Sequence, residues 1–453
     1  MLERAGSSAS AAGLHDQGRS LLEQALELHR SSGDRLSTCR ATAELGRVML
    51  NGFDTEAALA CLATATNEYA DLSEDPAGVA LWAQLARAQF LFARAAEAVA
   101  TADATLPLAE RLDLVPILAD LLVTKGSALV NVGRPREGLG TIETGRRLAE
   151  SANLTYTILR ATLNASGLLS DDDPRSARQA AQRGLDLAVR FGLPSFITSF
   201  LGIVAYASLH TGDWAAAIAT LDEGLEPAGE GNRIDLVSAL AMIAQYRILQ
   251  GEPGATDLRE IERLLVGETD PQAASRLPWA RATIALAEGK PGMAEEAANQ
   301  LLDILPTIPD PFCWNVVART ALWARDSERA ARALARLRAT GLHGPAGEAN
   351  LATISAGLAA LSGRPDEARS TYRTALQSWR DLGLRFDEAL TAIDMATLLG
   401  PAVPEARAAA DSAREILTRL GGKPFLERLE EAIQRQPSAA HPTPARSRDR
   451  SSV

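Results

Sequence analysis

The chain has 453 residues, with 46 basic against 57 acidic side chains and a formal net charge of −11. That balance argues against a sequence-independent nucleic-acid binder, which needs a basic face. The 46% hydrophobic and 23% charged content is that of a folded chain, and with only 4% aromatics its cores must be built from Ala and Leu packed at close range. Lys125, Lys290 and Lys423 are the only lysines, so arginine carries nearly all the positive charge, a bias expected of a GC-rich bacterial genome.

The opening "MLERAGSSASAAGL" has no apolar core segment, so no leader peptide is expected and the protein reads as cytoplasmic. From Gly18, "GRSLLEQALELHRSSGD" reads as the second helix of a hairpin. Too few residues precede it for a full first helix, and the first unit is expected to be incomplete. The same signal then recurs down the chain. A turn is followed by a small residue that starts an amphipathic helix, at Gly18, Ala57, Ala98, Gly138, Ala177, Ala217, Thr256, Ala294, Ala330, Ala368 and Ala406. These anchors are spaced by 36 to 41 residues, and a fixed period of that size is the signature of a solenoid.

The linking turns "NGFDTEA", "VGRPREG", "TGDWAAA", "EGKPGMA" and "SGRPDEA" follow one scheme. Gly supplies a left-handed cap past the first helix, and Pro suits the start of the second, where its missing N–H costs nothing. Apolar or small residues follow four and seven places after the anchor, as at Ile142 and Gly145, Leu221 and Gly224, or Tyr372 and Ala375. They are expected to let neighbouring helices approach closely. "FGLPSFITSFLGIVAYASLH", from Phe191 to His210, carries no formal charge and approaches the length of a bilayer span. It falls in register with the repeat, and is expected to be the most buried helix of the array. "QGEPGATDLREIERLL" fits worst; Asp257, Ile261 and Leu264 fit if one residue is inserted. Gly421 and Gly422 stop the last repeat helix, a closing helix is expected near 424–433, and "PSAAHPTPARSRDRSSV" should be a disordered tail, putting the solenoid at 1–433 and the tail at 434–453.

On "WAQLARAQFLFARAAEA", where Trp82, Leu85 and Ala86 precede Ala98, and on turns such as "LSGRPDEA", the chain resembles the tetratricopeptide (TPR) family over about residues 6 to 420. The usual TPR unit is about 34 residues, shorter than these, so HEAT-like units of about 40–47 residues are the alternative; the turn pattern favours TPR. The resemblance implies an all-α, right-handed superhelical solenoid of about eleven TPR-like hairpins, elongated in shape. "SWRDLGLRFDEALTAIDMATLLGP" and the segment after it further resemble the C-terminal end of bacterial signalling proteins. In those, a TPR-like array follows an AAA-type ATPase segment, with a class III nucleotide cyclase or a LuxR-type DNA-binding domain elsewhere.

No catalytic constellation emerges. "EGKPGMAEE" lacks the upstream Gly and the Ser/Thr of a phosphate-binding loop. His15, His29, His210, His343 and His441 have no metal-ligand spacing, and Cys39, Cys61 and Cys313 read as small buried groups rather than a disulfide framework or zinc site. The run Asp171–Asp173 before Pro174 reads as helix capping. No enzyme activity, metal or cofactor is expected, and neither direct nucleic-acid binding nor membrane insertion.

What remains is a surface. Eleven residues before successive anchors lie Arg87, Ser127, Ser166, Tyr206, Gln245, Thr283 and Arg319. A polar residue repeated on otherwise apolar first helices suggests a concave groove for a protein or peptide partner, at Arg87, Ser127, Tyr206, Gln245 and Arg319. The two arginines are the expected anchors for a carboxylate. A non-catalytic binding scaffold, the regulatory arm of a signalling protein, is the leading reading. A remnant of a LuxR-type regulator or cyclase, and an α/α-toroid enzyme, stand beside it.

Overall fold

The structure is a computed structural model that describes residues 1–225, 233–267, 270–306 and 310–434. Every regular element among the described residues is helical. The hairpins run α1 (Leu2–Ala11) with α2 (His15–Ser31), α3 (Arg35–Asn51) with α4 (Thr55–Glu68), and α5 (Pro76–Leu91) with α6 (Ala95–Arg111). Next come α7 (Val115–Asn131) with α8 (Pro135–Ser151), α9 (Thr155–Leu169) with α10 (Pro174–Phe191), and α11 (Pro194–Thr211) with α12 (Trp214–Leu225). α13 (Arg233–Leu249) pairs with α14 (Ala255–Leu264), and the single turn α15 (Pro271–Ala274) leads into α16 (Arg276–Glu288) with α17 (Pro291–Ile304). α18 (Pro311–Trp323) with α19 (Ser327–Ala339), α20 (Gly344–Leu361) with α21 (Pro365–Leu382), and α22 (Arg385–Leu399) with α23 (Pro404–Leu420) complete the array. α24 (Lys423–Gln434) closes it. The chain is an all-α solenoid of TPR-like hairpins. The expected tail lies, from residue 435 on, outside the described residues.

The repeat rests on close helix approach at the anchors. Ala98, Ala177, Ala294, Ala330, Ala368 and Ala406 are fully buried. Two anchors are corrected: Ala57 is half-exposed while its neighbour Ala58 is at 0%, and Thr256 is exposed while half-buried Asp257 takes its place, with Ile261 four residues on at 0%. The inserted residue expected there accounts for the second shift. Turn chemistry also departs from expectation once. In "NGFDTEA" the left-handed residue is Phe53 at φ 62°, not the glycine before it, whereas Gly133, Gly212, Gly289 and Gly363 do take that conformation. The first helix α1 is ten residues long against seventeen for α2, and its Gly6 lies against Gly18 of α2.

The array does not stay elongated. Segments from 75 to 177 residues apart touch, because α22 lies across α11 and α18, and α24 lies across α13 and α16. The turn glycines are the seats: Gly212 lies under Arg385 and Leu420, Gly251 under Pro424, and Gly289 under Arg428. One apolar cluster consequently runs from Ala205 on α11 to Ala432 on α24. Within it, Trp214 and Phe386 meet edge to face at 5.0 Å, and Phe386 and Phe425 at 5.3 Å, a geometry that adds to plain area burial. Gln250 Nε2 donates to the Leu420 carbonyl at 3.1 Å. α22, with 12 of 15 residues buried, is more buried than α11, with 8 of 18. Among the described residues no helix is long and apolar enough to cross a membrane.

The crossing of α11 and α22 is also ionic. His210 Nδ1 lies 2.8 Å from an Asp387 carboxylate oxygen. Burial disfavours the imidazolium, but Asp387 and Asp171 outweigh it, so His210 titrates above its ordinary value. A raised histidine stabilises the fold fully below its unfolded value of about 6.5, and that contribution fades as pH climbs through the raised folded value. The chain is thus expected to resist urea better at pH 6 than at pH 8, and His210→Gln to shrink the difference. An identical pH slope in the variant would exclude this crossing as its source.

Candidate ligand chamber

Coiling converts the open groove expected from the sequence into a partly open chamber. Its walls come almost wholly from first helices, α3, α5, α9, α11, α16 and α18 among them. Two lobes of about 260 and about 380 Å³ share Phe53, Phe90, Leu163, Asn164, Ser199 and Gln272. An outer depression of about 710 Å³ shares Arg47, Arg87 and Tyr156 with the smaller lobe, which makes those three side chains its neck. Volumes of this order suit a ligand or an extended peptide and not a folded domain.

The neck is basic. Arg87 is 7% exposed, and its Nη2 donates to Asn51 Oδ1 at 3.0 Å and to the Tyr156 hydroxyl at 3.2 Å. That hydroxyl in turn donates to Asn51 Oδ1 at 2.6 Å. All of these partners are neutral. The flanking arginines differ: Arg47 Nε donates to Glu44 at 2.9 Å, and Arg160 Nε lies 3.0 Å from Asp120. Burial pushes Arg160 down from its usual value, with Asp120 pulling back and Arg87 adding repulsion. A buried guanidinium facing only neutral groups is costly unless something else supplies the anion. Arg87 is that group here.

The inner end of the larger lobe is acidic and aromatic. Asp171 accepts the Tyr206 hydroxyl at 2.6 Å, and burial pushes its carboxyl above the usual range. Asp310 accepts Trp279 Nε1 at 2.7 Å and caps α18 through the Cys313 amide at 2.8 Å; burial raises it to about 6. Tyr206 stacks on Trp279 with centroids 6.4 Å apart and meets Phe312 edge-on at 6.4 Å. The Arg276 guanidinium lies over Trp279 at 5.1 Å. Among the described residues no three metal-ligating side chains gather.

Of the residues expected to line a groove, Arg87, Ser127 and Tyr206 reach this chamber. Ser127 accepts from Asn164 Nδ2 at 2.8 Å and bonds back to the Val123 carbonyl. Ser166 and Thr283 are spent the same way, on carbonyls of their own helices. Gln245 is 2% exposed and is not among the residues that line either lobe. Arg319, also 2% exposed, does grip a carboxylate, but it is Asp394 of the chain's own α22, at 2.8 Å. Its carboxylate is supplied internally, through Nη1 alone, and Arg87 and Arg319 do not share a site.

The aspartate run also divides. Asp173 caps α10 by accepting the Ser176 amide at 3.1 Å, as expected of the run. Asp172 instead ties the α9–α10 turn to α20, its carboxylate accepting the His343 amide at 2.9 Å and its carbonyl the Ala346 amide at 3.0 Å. Asp171 faces the chamber. Sequence reasoning misses Phe53, and it misses Asp171 and Asp310 as chamber groups. For Phe53 the signal lies in the backbone alone: a bulky residue in the left-handed region is a strained position that a functional wall can justify.

No family model matches the chain, and no curated protein matches it. Among solved structures, the crystal structure of the yeast Tom70 is similar over 95% of this chain and 94% of that one, at 14% identity and a TM-score of 0.35. A likeness that distant carries no argument about what the chamber holds.

Proposed function

We propose that the chain is a non-catalytic peptide-binding scaffold, the sensory arm of a bacterial signalling protein, and that an extended peptide partner occupies the chamber. The observation that carries this reading is Arg87, a nearly buried cation with neutral partners at the neck of a two-lobed chamber. The signalling context draws on the resemblance of the segment from Ser378 to Pro401 to repeat regions that follow ATPase segments. Because the walls come both from early residues such as Phe90 and from late ones such as Phe312, an occupant would tie distant hairpins together. A sensor needs that property.

Panning the intact chain against a displayed random-peptide library tests the proposal. Selected peptides are expected to lose binding in Ser199→Trp, which fills the junction of the two lobes, while helicity stays unchanged. At about a hundredfold its Kd, a bound peptide should add about 2.7 kcal/mol to the stability of the unmodified chain. Peptides that bind Ser199→Trp as well as the original chain would place the binding face elsewhere.

A further inference from the structure

The two ends of the chamber differ in charge. At the neck Arg47 and Arg160 are paired with Glu44 and Asp120, while Arg87 has neutral hydrogen-bond partners; the one carboxylate lining this lobe, Asp270, accepts the Thr55 hydroxyl. At the inner end Asp171 and Asp310 accept only from neutral donors, the Tyr206 hydroxyl, the Trp279 indole and the Cys313 amide. One cation, Arg276, lines that lobe beside the two carboxylates, so the end stays net negative. Tyr206, Trp279 and Phe312 line it, and aromatic rings attract cations, as Arg276 over Trp279 shows. Between the ends the shared wall is apolar at Phe53, Phe90 and Leu163 and offers hydrogen-bonding groups at Asn164, Ser199 and Gln272.

We infer that the chamber selects a linear dipolar ion: a short unblocked peptide held with its carboxylate at Arg87 and its ammonium at Asp171 and Asp310. This rests on the peptide-binding reading above and adds both the direction of the peptide and the requirement for free ends. The guanidinium fork matches a carboxylate bidentately, and a partner anion there would relieve the repulsion between Arg87 and Arg160. An ammonium at the inner end would find two carboxylates among aromatic side chains in a desolvated setting, where each such contact is strongest. The alternating amide and apolar character of the middle suits a backbone flanked by small apolar side chains. A uniformly anionic or uniformly cationic ligand would satisfy one end and oppose the other.

The test uses linear tetrapeptides of mixed apolar sequence in four forms: unblocked, N-acetylated, C-amidated and doubly blocked. Binding is measured by titration calorimetry on the intact chain. Unblocked peptides should bind about 10- to 100-fold more tightly than either singly blocked form, the range expected for losing one charged hydrogen-bonded contact. Arg87→Gln should erase the preference for a free carboxylate alone, and Arg87→Lys should restore part of it. Asp310→Asn, which keeps one acceptor oxygen, for the Cys313 amide, and gives up the bond from the Trp279 indole, should erase the preference for a free amine alone. Equal binding of all four forms that is still lost in Ser199→Trp would overturn the dipolar assignment and leave the chamber reading standing. So would displayed peptides that bind the chamber while no free tetrapeptide binds at millimolar concentration. Binding indifferent to Ser199→Trp would overturn both.

Discussion

Replacing Arg319 by methionine is expected to destabilise the fold by about 3–5 kcal/mol, the usual cost of stranding a buried charge. Arg319 and Asp394 are 2% and 0% exposed, and their ion pair at 2.8 Å joins α18 to α22. Burial raises Asp394 to about 6, with Arg319 pulling the other way. Without the guanidinium, the carboxylate must either remain charged in a dry site or take up a proton. Trp323 Nε1 also donates to this carboxylate, so removing Asp394 outright would orphan the indole. The informative partner change is therefore Asp394→Asn, which keeps an acceptor and drops the charge. The double variant Arg319→Met with Asp394→Asn should recover most of the loss, as buried ion pairs often exchange for neutral groups at little net cost. Urea midpoints at constant slope measure both steps. A single-variant loss below about 1 kcal/mol, the scale of an exposed ion pair, would mean that the crossing holds without this contact.

The second large effect is steric. Gly126→Val is expected to cost about 3 kcal/mol, at the upper end for overpacking. α7 and α8 touch here through their backbones: a Cβ on Gly126 would stand 2.6 Å from the Gly138 carbonyl oxygen and 2.8 Å from the Ile142 amide nitrogen. Neither atom is the end of a flexible side chain, so the helices must part and expose Ile142, now at 0%. Gly140 on the same α8 is the control. Nothing lies within 4 Å of its would-be Cβ, so Gly140→Ala should stabilise by about 0.4–1 kcal/mol through the unfolded chain alone. Thermal unfolding of the two variants side by side reads opposite signs. A tolerated valine at 126 would show that the helices can separate freely, and that the small-residue pattern is not what sets their distance.

The glycines of α8 are legible in the sequence. Gly138 and Gly145 sit at the anchor and seven places beyond it, and a small residue at a fixed period has one economical explanation, helices in close approach. The same holds for the all-helical array, the hairpin turns and the closing helix at Lys423–Gln434. Each depends on contacts between residues one unit apart, and a repeat writes such contacts into its period. Arg87 is likewise legible as a polar position on an inward-facing first helix, since the period separates the faces of a helix. The period does not say what lies opposite each face.

That second question is decided by tertiary structure. Asp394 stands 75 residues from Arg319, Asp387 stands 177 from His210, and Asp172 meets the His343 amide 171 residues away. No periodicity encodes such pairs, because they depend on how a small rotation per hairpin accumulates until hairpins several units apart collide. Coiling gave Arg319 an internal carboxylate and left Arg87 without one, although the two occupy the same place in their repeats. It also shaped a partly open chamber whose ends, Arg87 against Asp171 and Asp310, come from hairpins that the sequence offers no reason to pair. The sequence by itself determined the repeat, its helices and their close contacts, all local in a unit. Which polar side chains remain for a ligand was settled only when the accumulated twist brought distant units face to face.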